Sequence, residues 1–124
     1  MAYQSFEELE VWKKARVLKN EIYELVKRFP TEDKFRLYDQ LIRSSRSINA
    51  QIAEGHGRQS NPDRLHFCII ARGSLSETLN HLIDAFDCQL ISNKELEYFR
   101  SKIQEIEKLL NGYIDFLQSK SVVK

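Results

Sequence analysis

The side chains with the strongest claim to chemistry are Glu77, His81 and Asp84, spaced four and three residues apart. On a helix that spacing lines two carboxylates and an imidazole along one face, a donor set suited to a divalent metal. The same projection points them away from Leu75, Leu79, Leu82 and Phe86, toward the outside. Metal sites in helical bundles instead project ligands inward from several helices, with a Glu-x-x-His pair on each of two. No Glu-x-x-His occurs in the chain, so neither a metal nor a cofactor is expected. Cys68 and Cys88 fall on one predicted helix, about 30 Å apart at a rise of 1.5 Å per residue, and cannot bridge within it. Gly55-His56-Gly57-Arg58 has the look of a phosphate loop but lacks the Gly-Lys-Ser/Thr ending and follows a helix rather than a strand. It reads as a helix stop. His56 within it, and His66 at a crowded helix start, read as surface or interface residues. With no carboxylate pair, activated nucleophile or oxyanion cradle, the chain is not expected to be an enzyme.

The elements that carry these residues follow from the punctuation. A length of 124 residues suits one domain over 1–124, and 42% hydrophobic with 30% charged residues excludes a disordered or membrane-spanning chain. Four Gly and two Pro leave few places to turn, which favours a few long helices. Ser5-Phe6-Glu7-Glu8 is a capping box, and Pro30 ends the first helix at Phe29. Thr31 caps a second helix that stops near Glu54, where glycine readily takes the left-handed terminal conformation. Asn61-Pro62 opens a third, and Ser92-Asn93-Lys94-Glu95 caps a fourth. The predicted helices cover 6–29, 32–54, 62–89 and 93–118, with Lys120–Lys124 as a tail and Asn111-Gly112 inside the last helix. Apolar residues recur at steps of three and four in each, from Val11 to Phe29 and from Leu96 to Leu117. Trp12 flanks this seam and is expected to pack on a neighbour. Short loops make neighbours antiparallel, so the prediction is an all-α, up-down-up-down four-helix bundle. The opening Met1-Ala2-Tyr3-Gln4 has no apolar signal core, and two Cys form no disulfide framework; a cytoplasmic protein is expected.

Two seam positions break the pattern, Ser45 and Arg72. A turn centred on residue 58 or 59 would bring them level, leaving room for the guanidinium. A buried cation needs acceptors: Ser45 and Asn49 offer neutral ones, and Glu54 or another chain offers charge. Alternatively, Arg72 reaches an edge and buries only its stem. Gly73, costly inside a helix, suggests close approach of another backbone. Leu65, Phe67, Cys68, Ile69, Ile70 and Ala71 wrap well beyond one stripe. A second copy of the chain covering Leu65, Phe67, Ile69 and Ile70 is one solution, and a loop or the N-terminal arm is the other.

The net charge of +1 rules out a chain coated in positive charge, yet bases outnumber acids through Arg72 and acids outnumber bases after it. Lys13, Arg16 and Lys27 face outward on the first helix, as do Arg36, Arg43 and Arg46 on the second, with Asp39 placed to neutralise two of these. Such charges either form an ordinary solvated face or attract phosphates, and a ring of copies would repeat the patch.

Three segments carry a family resemblance: Glu8-Leu9-Glu10-Val11-Trp12-Lys13-Lys14-Ala15, Ile52-Ala53-Glu54-Gly55-His56-Gly57-Arg58 and Ala71-Arg72-Gly73-Ser74-Leu75-Ser76-Glu77. They resemble the bacterial four-helix-bundle proteins encoded in 23S ribosomal RNA intervening sequences, a family that includes the accessory variability proteins of diversity-generating retroelements. The resemblance covers about residues 5–118 and implies a homopentameric ring. It further implies binding of nucleic acid and a reverse transcriptase, as in the accessory members, and marks Glu54, Gly55, Arg58, Arg72, Gly73 and Glu77 as signature positions. The resulting expectation is a non-enzymatic homo-oligomer binding RNA or DNA through Lys13, Arg16, Lys27, Arg36, Arg43 and Arg46. The alternative is a protein-interaction scaffold that binds no nucleic acid.

Overall fold

The third and fourth helices begin within a residue of the expected positions, while the first two begin later, at Glu10 rather than 6 and at Asp39 rather than 32. The computed structural model describes residues 5–122, with the side chains of 33–35 and 121–122 outside that description. The expectation on the opening Met1–Gln4 therefore lies outside the described residues, as do positions 123–124 of the expected tail. The four long helices are α1 (Glu10–Val26), α2 (Asp39–His56), α3 (Asn61–Asp87) and α4 (Asn93–Val122). No strand occurs among the described residues.

The Ser5 capping box forms, but it caps a single 3-10 turn, Phe6–Glu8, rather than α1. Ser5 Oγ accepts from the Glu7 amide at 3.2 Å and the Ser5 amide donates to Glu8 Oε2 at 3.3 Å. Leu9 is then extended and α1 begins at Glu10, because a capping box satisfies the donors of one turn and does not oblige the chain to stay helical beyond it. At the other end α1 stops at Val26, and the Arg28 and Phe29 amides close tighter bonds to Leu25 and Val26 before Pro30. Phe29 stays buried, so the stripe is intact. In place of a Thr31-capped α-helix, a 3-10 turn (Thr31–Asp33) and a π turn (Lys34–Tyr38) lead into α2. Helix α3 is capped one residue early, by Ser60, whose hydroxyl accepts from Asp63 N at 3.2 Å.

The glycines after α2 are not left-handed; Gly57 keeps φ −80° and ψ −5°. The left-handed residue is Gln89, with φ 63°, after α3. There Leu90 N bonds Ala85 O and Gln89 N bonds Phe86 O, both at 2.9 Å, satisfying the carbonyls the helix end leaves open. Ser92 caps α4 as expected: its hydroxyl accepts from Glu95 N at 3.1 Å and its amide donates to Glu95 Oε1 at 2.9 Å. Helix α4 runs unbroken through Asn111-Gly112.

The helices pack in cyclic order, α1 on α2, α2 on α3, α3 on α4 and α4 on α1, with the α2/α3 contact the most extensive and α1/α4 the least. Cross-links show that α1 and α4 run antiparallel: Lys14 pairs with Glu105, Glu21 with Tyr98 and Arg28 with Glu95. One buried cluster fills the centre, including Leu18, Ile22, Leu41, Ile48, Leu75, Leu82, Ile106 and Leu110.

The register of α2 against α3 differs from the expected one. Ser47 Oγ meets Ser74 Oγ at 2.8 Å, and Thr78 Oγ1 donates to Ser44 Oγ at 2.9 Å. Gly55 sits under Phe67: a Cβ there would lie 3.0 Å from Phe67 Cβ and 3.2 Å from the Arg64 carbonyl oxygen. The first turn of α3 therefore overhangs the end of α2, and the pairing slides by more than a helical turn. Ser45 and Arg72 are not partners. The Ser45 hydroxyl bonds Ile42 O in its own helix at 3.3 Å, and Arg72 Nη1 donates to Asn111 Oδ1 of α4 at 3.0 Å.

Candidate nucleic-acid interface

Helix α1 has two edges of opposite character. Trp12, Arg16, Lys19, Tyr23 and Lys27 recur at steps of four, three, four and four, which places them on one stripe beside α2. The Arg16 guanidinium lies 5.7 Å from the centre of the Trp12 ring and the Lys27 ammonium 4.6 Å from that of Tyr23. Asn49 Nδ2 of α2 donates to Trp12 O at 3.2 Å and ties the two helices together at this edge. Further along, Lys19, Asn20 and Tyr23 of α1 and Ile42, Ser45 and Arg46 of α2 line a recess of about 200 Å³.

The cations on this face differ in availability. Lys27 is bonded to Glu24 at 3.0 Å, which raises its pKa, and Arg43 lies 3.8 Å from Asp39. Both pairs are exposed, so solvent screens them and a stronger anion can replace the carboxylate. Among the described side chains, Lys13, Arg16, Lys19 and Arg46 have no carboxylate within 4.0 Å. Arg36 is exposed on the π turn.

The acids of α1 lie on the other edge. Glu21 and Glu24 line a groove of about 820 Å³ against α4, with Val17, Leu25, Tyr98 and Phe99 as its apolar wall. Tyr98 Oη donates to Glu21 Oε2 at 2.5 Å, and the carboxylate pushes the phenol pKa up. Glu21 Oε1 is buried without a hydrogen-bond partner among the described residues. Arg28 and Glu95 pair across the end of the groove. This division puts free cations beside α2, while the α4 side mixes Glu21, Glu24 and Glu95 with Arg28 and Lys94.

The signature positions divide into two groups. Glu54, Gly55 and Arg58 come together as a latch on the α2/α3 turn. Glu54 holds Arg58 at 2.9 Å, and the Arg58 guanidinium covers the Phe67 ring at 4.6 Å, while Phe67 packs on Gly55. Arg64 Nε donates to Arg58 O at 2.7 Å and closes the turn. Arg72, Gly73 and Glu77 lie apart from this latch on α3. Arg72 reaches α4, Glu77 pairs with His81 at 3.2 Å, and a Cβ on Gly73 would meet nothing within 4 Å. Among the described residues, no backbone beyond its own helix turn comes within 4 Å of that position, so the expected close approach of another backbone is not made by the described part of this chain. No group of three metal-ligating side chains occurs among the described residues.

The four apolar residues expected at a subunit contact also divide. Leu65 is half-buried against the core, and Phe67 is half-buried beneath Arg58, so the latch covers much of that surplus. Ile69 and Ile70 remain 43% and 37% exposed, beside the open Gly73. Cys68, just before them, is buried, which pushes its thiol up to about 11 and leaves it unreactive, whereas Cys88 is exposed.

The family model for 23S rRNA-intervening sequence proteins matches residues 7–112. The chain belongs to this family. It is also similar, at 30% identity and a TM-score of 0.79, to the crystal structure of a protein of unknown function from the S23 ribosomal protein family of Bacteroides thetaiotaomicron VPI-5482, with 85% of this chain and 95% of that one covered. No curated protein matches the sequence. The basic stripe, the latch and the Arg72–Asn111 bond all fall within the family match, and the end of α4 lies beyond it. No helix among the described residues is long and apolar enough to cross a membrane.

Within this family member, sequence reasoning found six outward bases and missed Lys19 and Tyr23, which complete the stripe. The signal was present in the spacing of Trp12, Arg16, Lys19, Tyr23 and Lys27. It goes unnoticed when the apolar positions alone are traced.

Proposed function

We propose that this 23S rRNA-intervening sequence protein is a non-enzymatic homo-oligomer that binds nucleic acid through the α1/α2 face. The observation that carries the reading is the cluster of cations there, Lys13, Arg16, Lys19 and Arg46, with no carboxylate partner among the described side chains and interleaved with exposed or half-buried aromatic rings. Phosphates meeting these groups displace counterions rather than protein carboxylates. Self-association enters through Ile69 and Ile70, which leave an apolar patch on α3 that a second copy can cover. A pentameric ring, as the family resemblance implies, would repeat the basic face around its rim and multiply the attraction. The fold supplies rigid helices for this purpose.

The test is RNA retention titrated from low to moderate salt with wild type, Arg46→Gln and Arg43→Gln. Binding should weaken steeply with salt, and Arg46→Gln should cost more than Arg43→Gln, because Asp39 already offsets Arg43. Retention that ignores salt, or equal effects of the two variants, would count against the reading.

A second reading is favoured by the α1/α4 groove, whose apolar wall and buried, unpartnered Glu21 oxygen suit a protein segment bearing a cation. Under that reading the protein is an interaction scaffold, whose partners, by the family resemblance, include a reverse transcriptase. Capture of a protein partner that survives nuclease treatment and is lost in Glu21→Leu would support it.

A further inference from the structure

The recess between α1 and α2 has a lining that a surface for duplex phosphates alone does not need. Its rim carries two cations, Lys19 and Arg46, on opposite helices. Its walls are the Tyr23 ring, 41% exposed, and the buried side chain of Ile42. Asn20, exposed on α1, adds an amide able both to donate and to accept. Ser45 closes the floor of the recess, buried, with its hydroxyl donating to Ile42 O at 3.3 Å.

We propose that this recess receives one unpaired nucleotide of a single strand, its base against Tyr23 and Ile42 and the flanking phosphates on Lys19 and Arg46. The proposal rests on the nucleic-acid reading and adds to it a preference for unpaired strands. A base offers a π-face for the tyrosine and a polar edge for Asn20, while a phosphate alone would leave Tyr23 and Ile42 without a role. In a duplex the bases are paired and stacked, so none enters a recess of about 200 Å³ without first being flipped out at a cost. Neither rim cation has a carboxylate within 4.0 Å among the described side chains, so phosphate binding breaks no ion pair. The Lys27 ammonium, bonded to Glu24, lies 4.6 Å from the centre of the Tyr23 ring, so a stacked base takes the ring's other face.

The experiment is fluorescence anisotropy with a labelled oligouridine and with a duplex RNA of equal length. It uses wild type, Tyr23→Ala, Tyr23→Phe and the pair Lys19→Gln/Arg46→Gln. Tyr23→Ala should weaken oligouridine binding by about 5- to 150-fold, the range for losing one base–aromatic stack. Duplex binding should stay within about twofold, and Tyr23→Phe should restore the single-strand affinity. The double glutamine variant should weaken both probes and lower the salt dependence by about two phosphate contacts. If wild type binds both probes and Tyr23→Ala changes neither, or both equally, the recess is not a nucleotide site although the nucleic-acid reading stands. If wild type binds neither probe, the broader reading fails and this one with it. Helix content by circular dichroism is the control that the Tyr23 variants remain folded.

Discussion

Gly55→Ala and Gly73→Ala should move stability in opposite directions, although each replaces a helical glycine by the best helix former. Inside a helix the exchange is worth about 0.8–1.0 kcal/mol in favour of alanine when nothing else changes. Gly73 is exposed on α3, and within one protomer a Cβ there meets no atom within 4 Å, so in the protomer only that term acts. At Gly55 the new Cβ would lie 3.0 Å from Phe67 Cβ and 3.2 Å from the Arg64 carbonyl oxygen. Neither atom is the loose end of a side chain. Helix α3 must back away from α2, stretching the Ser47–Ser74 and Ser44–Thr78 hydrogen bonds. Overpacking of this kind costs about 1–3 kcal/mol. Gly55 is also the residue before the last of α2, where alanine returns less than in a helix interior. The expected net is a loss of about 0.5–2 kcal/mol for Gly55→Ala and a gain of about 1 kcal/mol for Gly73→Ala. At this chain length that separates the two midpoints by several degrees, roughly 3–5 °C for each kcal/mol. Thermal and urea unfolding followed by circular dichroism, at one protomer concentration, would measure it. A Gly55→Ala protein as stable as Gly73→Ala would refute the tight α2/α3 contact, and with it the account of the shifted register.

Replacing Ile69 and Ile70 together by Lys should reduce the native mass, measured by light scattering, to that of one chain with helix content kept. An assembly that survives the double change, or a wild type that is already monomeric, removes that patch as the contact. The Ser92 amide and then Arg28 hold the Glu95 carboxyl below its usual range. A folded pKa below the unfolded value, about 4.3, means that this contribution is present above that pH and is lost as pH falls through the folded value. Glu95→Gln should therefore lower stability at neutral pH by about 0.3–1 kcal/mol. The gap to wild type should close in acid; a gap that stays constant down to low pH would contradict the assignment.

Much of the secondary structure was legible in the chain because its signals are local. The Ser92–Glu95 capping box, Pro30 and the apolar steps of α1 and α4 act within a turn or two, where sequence neighbours are spatial neighbours. Local signals also misled by small amounts: Ser5 caps a lone turn, and the left-handed end falls on Gln89 rather than a glycine. The outward bases were visible too, but their pairing was not. Asp39 meets Arg43, and Glu24 meets Lys27, while Arg46 and Lys19 are left without a carboxylate among the described side chains.

By itself, the amino-acid order determined that four amphipathic helices would form, roughly where each begins, and which residues carry charge to the surface. How far one helix slides along another was decided only in three dimensions. That offset is marked by the tight place of Phe67 on Gly55 and by the Ser47–Ser74 and Ser44–Thr78 bonds, all between residues far apart in the chain. Also decided there are the acceptor of Arg72 on α4, the cover over Phe67, and the openness of Ile69 and Ile70. The recess flanked by Lys19 and Arg46 is likewise a product of two helices meeting, and neither helix contains it alone.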